Sequence, residues 1–183
     1  MRSAAAEAQE DEMSWRSISL NSKLSFISKV SIETDNRLRP FSSISGSYTD
    51  LRLVFEGLAV SAGVDIYCQV NGDTATNYSH TRLTGNGTAA SSSRGSSLAY
   101  MRFSDGGSPQ TANTSVTKVD FMGYSNTTTY KTALNRADNS NRGLDAVVNL
   151  WRSTAAITSI KFYLSSGNIA SGAIATLYGI KAA

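Results

Sequence analysis

The stretch YTDLRLVFEGLAV, residues 48–60, sets Leu51, Leu53 and Phe55 in alternation with Arg52, Val54 and Glu56. A period of two puts one set of side chains on each side of an extended chain, so the stretch reads as a strand. Close behind it, VDIYCQVNGD (64–73) repeats the pattern, with Val64, Ile66, Cys68 and Val70 on one side and Asp65, Tyr67 and Gln69 on the other. The intervening SAG at 61–63 predicts a hairpin joining the two.

Outward from this pair, the chain keeps the same grammar. Toward the N-terminus, SWRSISL and LSFISKVSI predict a first edge strand. Toward the C-terminus, NYSHTRL, SSLAYMRF, SVTKVDFMGY, TTTYKTAL, DAVVNLW, ITSIKFYL and IATLYGIK are short β-leaning runs separated by Gly, Ser, Asn and Asp clusters. No segment has the length and 3.6-residue period of a core helix. About eight to ten such strands predict an all-β fold, a jelly-roll-like antiparallel β-sandwich with a short N-terminal arm. The arm is residues 1–14 and the sandwich domain residues 15–183, one domain's worth of chain. Residues 84–97, TGNGTAASSSRGSS, predict a long exposed loop.

Composition agrees with that class. Only 17% of residues are charged, and the polar remainder is mostly Ser, Thr and Asn, which suit turns and strand faces better than helix interiors. A lone cysteine, Cys68, excludes an intrachain disulfide and any multi-cysteine metal site, and its alternating context predicts a small buried hydrophobe. There is no apolar span of about 20 residues to cross a bilayer and no secretory signal, so the expectation is a soluble product of a cytoplasm with no membrane insertion. The formal net charge of +3 is unevenly shared. In residues 1–14, Arg2 stands against Glu7, Glu10, Asp11 and Glu12, giving −3, while 16 basic and 10 acidic residues give the rest +6. Opposite signs on arm and body make Glu7, Glu10, Asp11 and Glu12 candidate interface residues. The body's cations are spread without a cluster, and nucleic acid is not an expected partner.

Catalytic patterns are weak. The one histidine, His80, lies among polar strand residues without a nucleophile elbow and is expected at the surface. Ser115 and Lys118 match S-x-x-K in letters, yet residues three apart on a strand point to opposite faces. Gly85, Gly87 and Ala90 imitate a dinucleotide fingerprint with no helix behind it. NGDTATN and SDGG resemble pieces of calcium loops without their paired carboxylates, so turn chemistry is the expectation there. No enzyme, no metal and no cofactor is expected. What stands out is tyrosine on the outer faces of the expected strands, Tyr67, Tyr78, Tyr100, Tyr124, Tyr130 and Tyr163, with Asn and Arg close by. Flat rings with wet hydroxyls suit protein and sugar contacts, which makes Tyr78, Arg82 and Tyr130 candidate surface-ligand contacts.

Three segments carry a family likeness. The ending, Ile157 to Phe162, then SSGNIASG at 165–172, then Leu177 to Lys181, resembles the C-terminal signature of small β-sandwich structural proteins of tailed bacteriophages. The stretch from Tyr48 to Phe55 resembles their first core strand, and Asn71 to Tyr78 their middle loop; this chain differs in its acidic arm and in one extra residue between Gly172 and Leu177, expected as a β-bulge. The likeness implies a virion protein without catalytic residues, exposed on the particle as a head decoration or fibre, or as a tail-fibre or adaptor piece. It implies other virion proteins of capsid or tail as partners and a homo-oligomer, often a trimer in such settings. The alternative is a carbohydrate-binding module that reads a cell-surface glycan of the host.

The last strand sharpens the expectation of an interface. Ala173, Ala175 and Leu177 lie on one side and Ile174, Tyr178 and Ile180 on the other, so both faces are apolar. A sandwich has one interior, and the second face, with Ile174, Tyr178 and Ile180, is expected against another subunit. Gly172 is expected to turn the chain into this strand, and Gly179 to allow close approach of a neighbour.

Overall fold

The computed structural model describes residues 24–31, 40–56, 64–104, 115–139, 143–167 and 172–181. Eleven strands are found there: β1 (Leu24–Ser31), β2 (Asp50–Glu56), β3 (Ile66–Val70), β4 (Tyr78–Gly85), β5 (Ala90–Leu98), β6 (Met101–Arg102), β7 (Val116–Met122), β8 (Lys131–Asn139), β9 (Gly143–Trp151), β10 (Ile160–Leu164) and β11 (Ile174–Ile180). They form an all-β, sandwich-like fold, as expected, divided unequally. One sheet has the order β1-β11-β2-β7-β8-β9-β4-β5 and the other β10-β3-β6. Every pairing is antiparallel.

The core sits where the alternating rows of the two layers face each other. Leu51, Leu53 and Phe55 of β2, Val119 and Phe121 of β7 and Leu177 of β11 are buried against Ile66, Cys68 and Val70 of β3 and Phe162 of β10. Phe55 and Phe162 meet edge to face, with ring centres 4.4 Å apart, and so tie the layers together. Cys68 is fully buried, and burial pushes its thiol far above the usual range.

The expected β2–β3 hairpin does not form. Both edges of β2 are taken, by β11 and β7, and β3 pairs instead with β10 and β6. The chain therefore crosses between layers, and the two apolar rows bury each other across the sandwich. The expected loop at 84–97 is also corrected. Asn86 Oδ1 accepts the N–H groups of Thr88 and Ala89 at 3.0 and 2.8 Å, Gly87 takes φ 87°, and this tight turn returns the chain as β5. The SAG link, SWRSISL, residues 105–107 of SDGG and residues 1–14, with Glu7, Glu10, Asp11 and Glu12, lie outside the described residues.

At the end of the chain, β11 is held between β1 and β2. Gly172 has φ 92°, the left-handed conformation expected of the turn into it. The bulge is in β1 and not in β11: Phe26 pairs with Tyr178 and Ser28 with Leu177, leaving Ile27 extra, while β11 runs without interruption along β2.

Candidate functional site

Three adjacent strands of the large sheet bury polar side chains and expose apolar ones. On β8, β9 and β4 the inward rows mix the two kinds: Lys131, Asn135, Asp145, Asn149, His80 and Arg82 are buried beside Tyr78, Ala133, Ala137, Val147 and Trp151. The outward rows include Leu134, Leu144, Val148 and Leu83, between 42% and 56% exposed. Register brings the outward residues together. Leu134 lies opposite Val148, Val148 opposite Thr81, and Ala146 opposite Leu83. Serine on the neighbouring β5 leaves Leu83 uncovered, and a shallow open depression of about 410 Å³ results, lined by Thr81, Leu83, Ser92, Leu134, Ala146 and Val148. Arg136, Asp138 and Arg94 are exposed around it.

The other half of the same face is mixed: Val116 and Met122 of β7 are exposed at either end of a row that also holds Lys118 and Asp120. Arg52 grips Asp120 with both nitrogens, at 2.6 and 3.2 Å, and that hydrogen bond raises the arginine's pKa further. Beyond them, on β11, Ile174, Tyr178 and Ile180 are half-buried, with Phe26 of β1 edge-on to Tyr178 at 6.4 Å. Phe26 itself is 63% exposed.

The inward polar groups have a structural task. Asn149 donates to Arg102 O and to Asn135 Oδ1, both at 2.9 Å, and its own Oδ1 accepts Arg102 N–H at 2.9 Å. Asn135 donates to Phe103 O. Two amides of the large sheet thus bind the backbone at Arg102, in the two-residue strand β6, and at Phe103 just after it, and fix β6 beside β3. Lys131, also buried, donates to the carbonyls of Thr129 and Thr154 at 2.7 and 3.1 Å, and burial lowers its pKa.

A second surface forms on the outside of the small sheet. Tyr67 stacks on Tyr100 with ring centres 3.8 Å apart and meets Tyr163 edge-on at 5.7 Å. Arg102 is paired with Asp65 at 2.5 Å, the Tyr67 hydroxyl donates to the same carboxylate at 2.9 Å, and exposed Lys161 stands 5.9 Å from the centre of the Tyr163 ring. Burial pushes the Tyr67 hydroxyl up to about 12, opposed by the Arg102 hydrogen bond and reinforced by Tyr100 and Asp65.

The candidate ligand contacts divide. Tyr130 is 54% exposed, but Tyr78 and Arg82 are not surface residues. Tyr78 is fully buried, donates from its hydroxyl to Asp73 O at 3.0 Å, and accepts Val70 N–H at 3.3 Å. Its register on β4 carries His80 and Arg82 inward with it, so the surface position expected for His80 is corrected too. Sequence reasoning named Tyr67, Tyr100 and Tyr163 singly and did not group them. It passed over Leu134, Leu144 and Val148 altogether, although their alternation with Asn135, Asp145 and Asn149 was there to be read. NGDTATN is turn chemistry: Asp73 accepts from Ala75 N–H and the Asn77 amide, each at 2.9 Å. Among the described residues, no group of three or more His, Cys, Asp or Glu could hold a metal ion, and no helix is long and apolar enough to cross a membrane. No protein-family model, no curated protein and no solved structure matches the chain.

Proposed function

We propose that the chain is a non-enzymatic structural component of a tailed-phage virion, exposed on the particle, that packs against neighbouring copies through the outer face of its larger sheet. The exposed Leu83, Leu134, Leu144 and Val148 of β4, β8 and β9 carry the assembly half of this reading. Leucine and valine on central strands cost free energy in water, about 25 cal/mol per Å² of apolar surface, and recover it only when another chain covers them. Arg136, Arg94 and Asp138 give the rim both signs, so a copy of the face can set Asp138 against an arginine of its neighbour. The likeness of residues 157–181 to phage β-sandwich proteins supports the particle half, and the acidic arm, residues 1–14, is proposed to attach the body to a capsid or tail partner.

Mass spectrometry and antibody labelling of purified particles test both halves. Wild-type protein is expected at stoichiometric occupancy, Leu134→Glu at strongly reduced occupancy with the body still folded, and a chain lacking residues 1–14 at none. Normal occupancy of Leu134→Glu overturns the face, and absence of the wild-type chain from particles overturns the virion.

A second reading is favoured by one specific observation, the grouping of Tyr67, Tyr100 and Tyr163 around the Arg102–Asp65 pair. Aromatic faces next to charged hydrogen-bonding groups suit a saccharide ring, whose C–H side stacks while its hydroxyls bond. Binding on a broad glycan array that is lost in Tyr100→Ala supports it, and silence across the array removes it.

A further inference from the structure

The large sheet ends in two very different edges. At one end β1 is broken by the bulge at Ile27 and carries Lys29, two devices that discourage pairing with another chain. At the other end β5 carries no lysine, and its irregularity is confined to one end. From Ala90 to Gly95 it follows β4 without interruption, and only at Ser96 and Ser97, where Ser97 takes φ 55°, does a bulge intervene. This stretch, ASSSRG, holds no proline, no lysine and no acid, and apart from Arg94 its side chains are small. Long unguarded edges of this kind are templates for β-augmentation.

The geometry points to a second copy of this chain as the occupant, paired antiparallel through Ala90–Arg94 of both. An antiparallel pair of identical strands has a two-fold axis of its own and closes after one partner. The axis falls at Ser92. Centred there, Ser92 meets its copy, Ser91 meets Ser93 and Ala90 meets Arg94; centred on Arg94, two guanidinium groups would stand opposed. The hairpin sets which amides are available. Asn86 N–H bonds Ala89 O, so alternation turns the N–H groups of Ser91, Ser93 and Gly95 toward β4 and those of Ala90, Ser92 and Arg94 outward. Joining two such edges makes one continuous sheet and brings the two copies of Leu83 within about 14 Å, three strand spacings, so that the depressions merge into one wider apolar platform. The inference goes beyond the virion reading, because it stands on the edge of the sheet and is read in solution.

Light scattering of the full chain across a concentration series, with three variants, tests it. Ser92→Pro deletes an outward N–H and spares the bonds to β4, and Ser92→Lys places like charges face to face. Each is expected to halve the mass of the wild-type assembly while leaving the thermal transition in place. Ser92→Cys, whose paired Cα atoms would lie about 5.5 Å apart, is expected to form a covalent dimer on mild oxidation, even when Leu134→Glu is added. A wild-type chain that stays monomeric, or an assembly that survives both Ser92→Pro and Ser92→Lys, overturns the proposal. So does a Ser92→Cys chain that does not cross-link. If the dimer forms and particles lack the protein, the virion reading falls and this one stands.

Discussion

Gly179 lies flat beneath the ring of Tyr48: a β-carbon on Gly179 would sit 2.3 Å from Tyr48 Cγ and 2.4 Å from Cδ1. The neighbour whose close approach Gly179 permits is therefore a side chain of the same molecule, leading into β2. Gly179→Ala is expected to destabilise by about 1–3 kcal/mol through overpacking, which lowers Tm by roughly 2–4 °C per kcal/mol in a chain of this size. Adding Tyr48→Ala should relieve the clash, so the double variant should melt above the sum of the two single losses. Thermal unfolding followed by circular dichroism measures all three.

The Asp73 carboxylate is an acceptor shared by three donors, Ala75 N–H, the Asn77 amide and the Trp151 indole N–H at 2.7 Å. Burial pushes its pKa up, but the three hydrogen bonds outweigh that and hold it below the usual range. Trp151 is buried, so Asp73→Ala leaves its N–H without this acceptor and is expected to cost about 1–3 kcal/mol at neutral pH. Because the folded pKa is depressed, this contribution is present above the ordinary carboxylate value of about 4 and fades as pH falls through the folded one. Denaturant titrations should show the gap between wild type and Asp73→Ala closing on the acid side.

How far the fold could be read depended on which residues each strand turned inward. In β2 and β3 the apolar set points to the core, so period, face and burial agreed, and Leu51, Phe55, Ile66 and Cys68 were legible from the alternation alone. In β4, β8 and β9 the inward rows mix polar and apolar residues, with Asn149 between Val147 and Trp151, and taking polarity for exposure led to the wrong face for Tyr78, His80 and Arg82. The alternation is visible in such strands but does not say which row is buried, because the partners of the inward amides lie elsewhere in the chain: Asn135 and Asn149 bond the backbone of Arg102 and Phe103. Gly95, which β4 and β5 register places opposite His80, leaves room for the imidazole, since a β-carbon there would come within 2.7 Å of His80 Cε1. The tyrosine group on the small sheet was illegible for a similar reason, as Tyr67, Tyr100 and Tyr163 meet only through the β10-β3-β6 pairing.

Asn149 should be among the least replaceable polar residues. Asn149→Ala deprives Arg102 N–H and Arg102 O of their partner together, in a fully buried position. A loss of about 2–3 kcal/mol is expected, larger than that from exposed Asn126, whose side chain serves only its own turn. Hydrogen exchange gives the sharper check: amides of Met101–Arg102 should lose protection in Asn149→Ala before those of β2 do.

At alkaline pH the tyrosine group should hold together past the point where free tyrosine ionises. The folded pKa of Tyr67 is raised to about 12, so its contribution to stability is whole below the ordinary value near 10 and is lost as pH rises through 12. Ultraviolet titration of the wild type should show a late tyrosine phase near that pH, and Tyr67→Phe should remove one residue's share of it. A Tyr67 that titrates near 10 would mean its hydroxyl is not buried among Tyr100, Arg102 and Asp65 as described.

Leu134 and Val148 face each other across β8 and β9 with about half their surface in water. Neither touches the core, so Leu134→Glu and Val148→Glu should change the stability of the isolated chain by no more than about 0.5 kcal/mol. Their effect belongs to association. A glutamate placed in the apolar centre must be desolvated when a second chain covers it, at a cost of several kcal/mol, which is enough to empty the contact. Leu134→Lys should fail equally, since the penalty follows burial of charge and not its sign, whereas Leu134→Met should assemble as the wild type does. Sedimentation at rising protein concentration separates these cases, and equal association of Leu134→Glu and wild type would show that this face remains in water.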